Sequence, residues 1–127
     1  MAALRDRRAP LIFTNLVDFD SSFGHRNDPE GYGAALVDFD SRLDELLDAL
    51  PDDGLMLITA DHGNDPTWPG TDHTREAVPV IATGNRVRAQ ALGDRDCFGD
   101  VAATILDNFG VGAPVEGDSF LASLTGV

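Results

Sequence analysis

An apolar run, Leu55–Ile58, stops at Thr59-Ala60, and Asp61, His62, Asp65, Asp72 and His73 follow it, interleaved with Gly63, Pro66, Pro69 and Gly70. A short apolar run of this kind reads as a buried strand, and the residues after it read as a loop shaped by its glycines and prolines. Carboxylates and imidazoles therefore crowd the place where the strand leaves its sheet. Gathering several anions there is unfavourable unless a cation joins them, so the stretch reads as a divalent metal site on an α/β scaffold.

The 127 residues suit a single domain, and 43% hydrophobic content is enough to bury a core. With 22 Asp+Glu against 9 Lys+Arg, all of them Arg, the formal net charge is −13. Such a surface repels nucleic acid and anionic membranes, which excludes both as expected partners. The lone Cys97 has no internal disulfide partner and is read as a half-covered small residue near a helix start. The N-terminus lacks the apolar region of a signal peptide, and no run is long enough to span a bilayer. The expected setting is the cytoplasm.

Residues 1–10 are charged and read as an irregular N-terminus, with residues 11–127 forming the structured part. Leu11, Ile12, Phe13, Leu16 and Val17 suggest a strand buried on both faces, ending in Asp18-Phe19-Asp20 and a loop that contains His25. Asp28-Pro29-Glu30 has the order of N-cap, first helical position and acidic first turn. The apolar positions Tyr32, Ala35, Leu36, Phe39, Leu43, Leu46, Leu47 and Leu50 predict one helix to about Leu50. Pro51–Gly54 is a turn and Leu55–Thr59 the next strand. Further on, Val78–Thr83 predicts a strand, Asp100–Phe109 a helix stopped by Gly110, and Ser119–Leu124 a short helix with Asp118 as its cap.

Strand, helix and strand in this order make a right-handed parallel crossover. It would bring Asp18 and Asp20 to the same sheet edge as Asp61 and His62, the edge where open parallel sheets bind ligands. All three histidines of the chain, His25, His62 and His73, fall in the loops that follow these two strands. The expected metal ligands are Asp20, His25, Asp61, His62 and His73. Carboxylate and imidazole donors without Cys point to Mn²⁺, Zn²⁺ or Fe²⁺, and five ligands suit two ions, an arrangement that favours in-line phosphoryl transfer. Asp65 is expected to brace the loop and Asp72 to orient His73; Asp18 can point away from Asp20 along the strand.

The segments FTNLVDFDSSFGHRND, at 13–28, and TADHGNDPTWPGTDHTRE, at 59–76, resemble the phosphopentomutases, members of the alkaline phosphatase superfamily. TADHGN is similar to a segment of the cofactor-independent phosphoglycerate mutases as well, whereas DPTWPGTDHTRE with DFDxxxGHR is more specific. The resemblance covers the chain from about Leu11 to the last helix. It implies a parallel-sheet, three-layer αβα core, here incomplete, and interconversion of (deoxy)ribose 1-phosphate with the 5-phosphate through a phosphorylated Thr and two Mn²⁺. It further implies that Asp61 and His62 hold one manganese, and Asp20, His25 and His73 the other.

Members of that family are about three times this length. Their nucleophilic Thr, a further metal-binding Asp and a cap domain precede the matched part, so no catalytic residue is assigned to this chain. The expectation is a fragment that holds one ion tightly and a second weakly, with a pentose phosphate as substrate of the whole. Self-association, or a separately encoded N-terminal half, is the expected protein partner. Competing readings are another phosphoryl-transfer enzyme of the superfamily, such as a phosphoglycerate mutase or a phosphatase, and a non-catalytic metal-binding remnant.

Overall fold

In the computed structural model, residues 2–6, 9–112 and 114–126 are described. The chain divides into two units, one formed by Met1–Pro51 with Ile58–Ile81, the other by Asp52–Leu57 with Ala82–Val127. The architecture is mixed α/β, and strands β1 (Met56–Thr59) and β2 (Val80–Thr83) pair as a two-stranded sheet. Pro79 lies just outside β2, as its missing N–H requires of a residue beside a ladder. Among the described residues no helix is long and apolar enough to cross a membrane.

In the first unit, α1 (Ala2–Asp6) is a short helix within the segment read as irregular. The run from Leu11 to Val17 does not form the expected strand. It has no strand partner among the described residues and leaves Leu11 55%, Phe13 86% and Val17 55% exposed. A strand is held by the ladder beside it, and without a neighbour an apolar run has neither hydrogen bonds to make nor a face to bury. The parallel crossover expected between this run and β1 is accordingly absent, and no three-layer parallel sheet forms among the described residues.

Helix α2 (Pro29–Ser41) begins as its sequence dictates. The Asp28 carboxylate accepts the Gly31 N–H at 2.9 Å, and Pro29 occupies the first turn. The single helix expected to Leu50 is broken: α2 ends at Ser41 and α3 spans Leu43–Ala49. At the break Arg42 has φ −104° and ψ 0°, and its N–H turns to the Phe39 carbonyl at 3.1 Å. The Ser41 hydroxyl donates to the Asp38 carbonyl at 2.7 Å, a side-chain bond of the kind that competes with the helical ladder. The apolar stripe is only partly covered, with Leu36 49% and Leu47 38% exposed.

The second unit is built around α4 (Gly99–Asn108) and α5 (Leu121–Thr125). Gly110, at φ 63°, ends α4: its N–H bonds to Asp107 O at 2.9 Å and that of Val111 to Leu106 O at 2.9 Å. Phe120 and Leu124 are buried, and so are two polar residues of α4, Asp100 and Thr104. The Thr104 hydroxyl donates to Asp100 O at 2.7 Å and accepts the Phe120 N–H at 3.0 Å, so both of its polar roles are filled. Asp118 does not cap α5 with its side chain. Its backbone N–H instead donates to the Asp100 carboxylate at 2.8 Å, and the Ser119 hydroxyl takes the Leu121 N–H at 3.2 Å. Arg95 Nε completes the network with a 2.6 Å bond to Asp100, its guanidinium 5.4 Å from the Phe120 ring centre. Cys97 is half-buried, its sulfur accepting the Gly99 N–H at 3.3 Å.

The Asp118 N–H, assisted by the Arg95 guanidinium and opposed by burial, holds the Asp100 carboxyl below the ordinary Asp range. A carboxyl depressed in the folded state stabilises it above the unfolded value, here 3.8, and loses that contribution as pH falls through the lower folded value. Chemical unfolding of the wild-type chain, followed by circular dichroism, is therefore expected to weaken between about pH 5 and about pH 3 more steeply than that of Asp100→Asn. The variant starts from a lower midpoint at neutral pH. Parallel pH profiles would show that the network does not bind the proton differently in the two states.

Candidate metal centre

The site lies within the first unit and is assembled from two loops. The first begins with a π-helical turn at Phe19–Phe23 and continues into a 3₁₀ turn at Gly24–Arg26. Asn27 follows at φ 52°, a left-handed conformation that Asn tolerates better than most residues, and Asp28 then starts α2. Phe19 packs edge-on against Tyr32 of α2 at 5.3 Å, which anchors the turn carrying Asp20. The irregular turn places Asp20 and His25 on one side, with His25 Nε2 3.4 Å from Asp20 Oδ1.

The second loop runs from Asp61 to Thr74 and closes on itself. Gly63 and Thr74 form an antiparallel bridge in which the Thr74 N–H donates to Gly63 O at 3.1 Å. Inside the closure, the Asp65 carboxylate accepts the Thr67 hydroxyl at 2.7 Å and the Thr67 N–H at 2.8 Å. These two bonds brace the loop and hold the Asp65 carboxyl below its usual range. Thr74 Oγ1 accepts the Asp65 N–H at 2.7 Å. The Asn27 amide ties the two loops together by donating to Trp68 O at 2.8 Å.

Closure brings His62 and His73 face to face, their rings stacked at 3.6 Å with a 17° interplanar angle. Both turn toward the same carboxylate oxygen. Asp20 Oδ1 lies 3.2 Å from His73 Nε2, 3.9 Å from His62 Nε2 and 3.4 Å from His25 Nε2. Asp20, His62 and His73 offer ligand atoms that all lie within 4.8 Å of one another. His25 joins through its Nε2, 3.2 Å from that of His73. Asp61 sits at the margin, its side chain 85% exposed and its Oδ1 3.6 Å from His62 Nε2. His62 thus groups with Asp20 and His73 rather than with Asp61 alone.

Hydrogen bonding dictates what these nitrogens present. His25 Nδ1 is bonded to the Thr71 carbonyl and His62 Nδ1 to the Gly63 carbonyl. A carbonyl can only accept, so both Nδ1 atoms carry a proton, and in the neutral rings both Nε2 atoms present lone pairs. Those lone pairs face a carboxylate, which also only accepts. His73 Nε2 has one proton at most to share between His25 and Asp20. A cluster of acceptors turned toward one another fits a divalent cation, and carbonyl-oriented imidazoles are the usual support of metal-bound histidines. The donor chemistry therefore suits a metal. Asp72 makes no hydrogen bond to His73 among the described residues, and Asp18 turns to Ser22 Oγ at 3.1 Å.

Two contributors escape a search for metal-ligand residue types. Asn64 donates its amide to Asp20 Oδ1 at 2.8 Å and so fixes the carboxylate. Gly24 is buried against it: a Cβ there would overlap the Asn64 amide nitrogen. The signal available for Asn64 is its place two residues after His62, in the same loop.

The Metalloenzyme superfamily matches residues 1–113 of the chain. Phosphopentomutases of Vibrio campbellii and of Aliivibrio fischeri strain MJ11 are each 53% identical to it over 111 residues, covering 87% of this chain and 27% of the relative. The phosphopentomutase of Aliivibrio salmonicida is 52% identical over 111 residues. The chain thus spans 27% of the length of the curated relatives it matches. A match over almost the whole chain, on a fold that gathers histidines around one carboxylate, establishes that the chain belongs to the Metalloenzyme superfamily.

Proposed function

We propose that this chain is the metal-holding part of a phosphopentomutase, an isomerase that moves a phosphoryl group between the 1- and 5-positions of ribose or deoxyribose. The observation that carries the reading is the convergence of three Nε2 atoms on Asp20 Oδ1 in a chain 53% identical to phosphopentomutases over 111 residues. Asp20, His25, Asp61, His62 and His73 are the proposed ligands, and Mn²⁺ is the proposed ion. Bound there, the metal supplies positive charge for phosphoryl oxygens. The chain's own groups hold the ligands in position, with Thr71 O and Gly63 O orienting two imidazoles and the Asn64 amide fixing the carboxylate.

The nucleophilic Thr is assigned to none of this chain's threonines, since Thr14, Thr59, Thr67, Thr71 and Thr74 lie in the segment matched to the part of the family that follows its nucleophile; Thr67 and Thr74 are besides engaged with Asp65 and Glu76. The same reading extends to the fold. The mixed α/β chain supplies part of a three-layer core of alkaline phosphatase type, in which Leu11–Val17 becomes a strand once neighbouring strands pair with it. Its setting is the cytoplasm, where a single cysteine stays reduced.

Calorimetric titration of the 127-residue chain is expected to show one tight Mn²⁺ site and a second, much weaker one. Asp20→Asn abolishes the tight site. Gly24→Ala, by displacing the Asn64 amide, weakens it by about 10- to 100-fold. Two equal tight sites in the wild type, or an unaffected Asp20→Asn variant, would contradict the ligand assignment.

Function is tested by grafting. The matched 111 residues replace their counterpart in the Vibrio campbellii phosphopentomutase, and mutase turnover is followed in a coupled assay with ribose 1-phosphate and Mn²⁺. The chimera is expected to turn over and to lose activity with Asp20→Asn. A folded, Mn²⁺-binding chimera without turnover would rule out the phosphopentomutase reading.

A further inference from the structure

The bridge between Gly63 and Thr74 is isolated, and its register is continued here by one residue on each side. In an antiparallel pair centred there, His62 stands opposite Arg75 and Asn64 opposite His73. His62, Asn64 and His73 share the side that faces Asp20, and alternation along 73–75 puts Arg75 on the side of His73, with Thr74 and Glu76 on the other. Observed contacts agree with that alternation. His62 and His73 stack, and both turn to Asp20, as does the Asn64 amide. On the opposite side, Thr74 Oγ1 bonds to the Glu76 carboxylate.

Three of the four residues on the first face thus act on Asp20, and Arg75 is the fourth. It is exposed and makes no ion pair or hydrogen bond among the described residues, in a chain of formal net charge −13. Its nearest acidic neighbour in sequence, Glu76, is engaged with Thr74 on the other face. Residues two apart on an extended strand are separated by about 7 Å, within the reach of an arginine side chain. A guanidinium beside a cation-binding cluster has the fork geometry that grips a phosphoryl group.

We propose that Arg75 is an anion anchor: its guanidinium binds the oxygens of a phosphate monoester whose phosphoryl group rests on the metal held by the Asp20 cluster. The assignment rests on the metal reading above and adds to it the residue that recognises substrate charge. It also explains a neutral amide and a cation on one face with two imidazoles. Asn64 tunes the carboxylate, and Arg75 tunes the ligand.

Inorganic phosphate and Mn²⁺, measured separately on the full chain, test the assignment. Mn²⁺ affinity is read by calorimetry, and phosphate binding by the broadening of its ³¹P resonance in the Mn²⁺-loaded protein. Arg75→Ala is expected to keep its Mn²⁺ affinity within about twofold and to lose phosphate affinity by about 10- to 100-fold. Arg75→Lys recovers part of that loss. Arg86→Ala, which removes an exposed arginine of the other unit, is the control for net charge and leaves phosphate binding unchanged.

Wild-type phosphate affinity in Mn²⁺-loaded Arg75→Ala would overturn the anchor and leave the metal reading intact. An equal loss in Arg86→Ala would overturn it in favour of general charge. Failure of the wild type to bind Mn²⁺ would remove the metal reading and the anchor with it.

Discussion

One carboxylate oxygen organises the first unit of this protein. Asp20 Oδ1 accepts the Asn64 amide at 2.8 Å and faces three imidazole nitrogens at 3.2 to 3.9 Å. In their neutral form two of those rings offer Nε2 lone pairs, because each gives its one N–H to a backbone carbonyl. Acceptors aimed at acceptors repel in the absence of positive charge, and the repulsion grows as water is excluded. The arrangement makes physical sense as a site that a divalent cation completes.

Everything nearby serves to hold those acceptors in place. The π-helical turn and the 3₁₀ turn bring Asp20 and His25 to one side, with Phe19 against Tyr32 as their anchor. The Gly63–Thr74 bridge stacks His62 on His73, and Asp65 rigidifies the intervening loop through Thr67. Asn27 stitches the first loop to the second at Trp68. Glycine at 24 leaves room for the Asn64 amide, which any larger residue would have to displace. Loops carry the chemistry here, and their precision comes from side-chain and bridge hydrogen bonds rather than from a broad sheet.

Local signals in the sequence are good guides where the physics is local. Asp28-Pro29 starts α2 and Gly110 stops α4, while the donor types of Asp20, His25, His62 and His73 mark them as one cluster even though the crossover expected to join them is absent among the described residues. Signals that depend on distant partners are poor guides. Leu11–Val17 has the composition of a buried strand, yet burial requires a neighbour, and the ladder it needs is absent among the described residues. The break at Arg42 is hidden by an uninterrupted apolar period, since Ser41 and Arg42 satisfy the pattern while the Ser41 hydroxyl engages a backbone carbonyl. Asn64 gives no metal-ligand signal because amides are weak metal ligands; its role is to fix the Asp20 carboxylate.

The most direct test is anomalous diffraction from crystals of the chain grown with Mn²⁺, with data on both sides of the manganese absorption edge. The expected result is a peak bonded to Asp20 Oδ1 and to the Nε2 atoms of His62 or His73, with the Nδ1 atoms of His25 and His62 still on their carbonyls. A manganese peak elsewhere, or none beside Asp20 at saturating metal, would contradict the assignment of that carboxylate as the centre of the site.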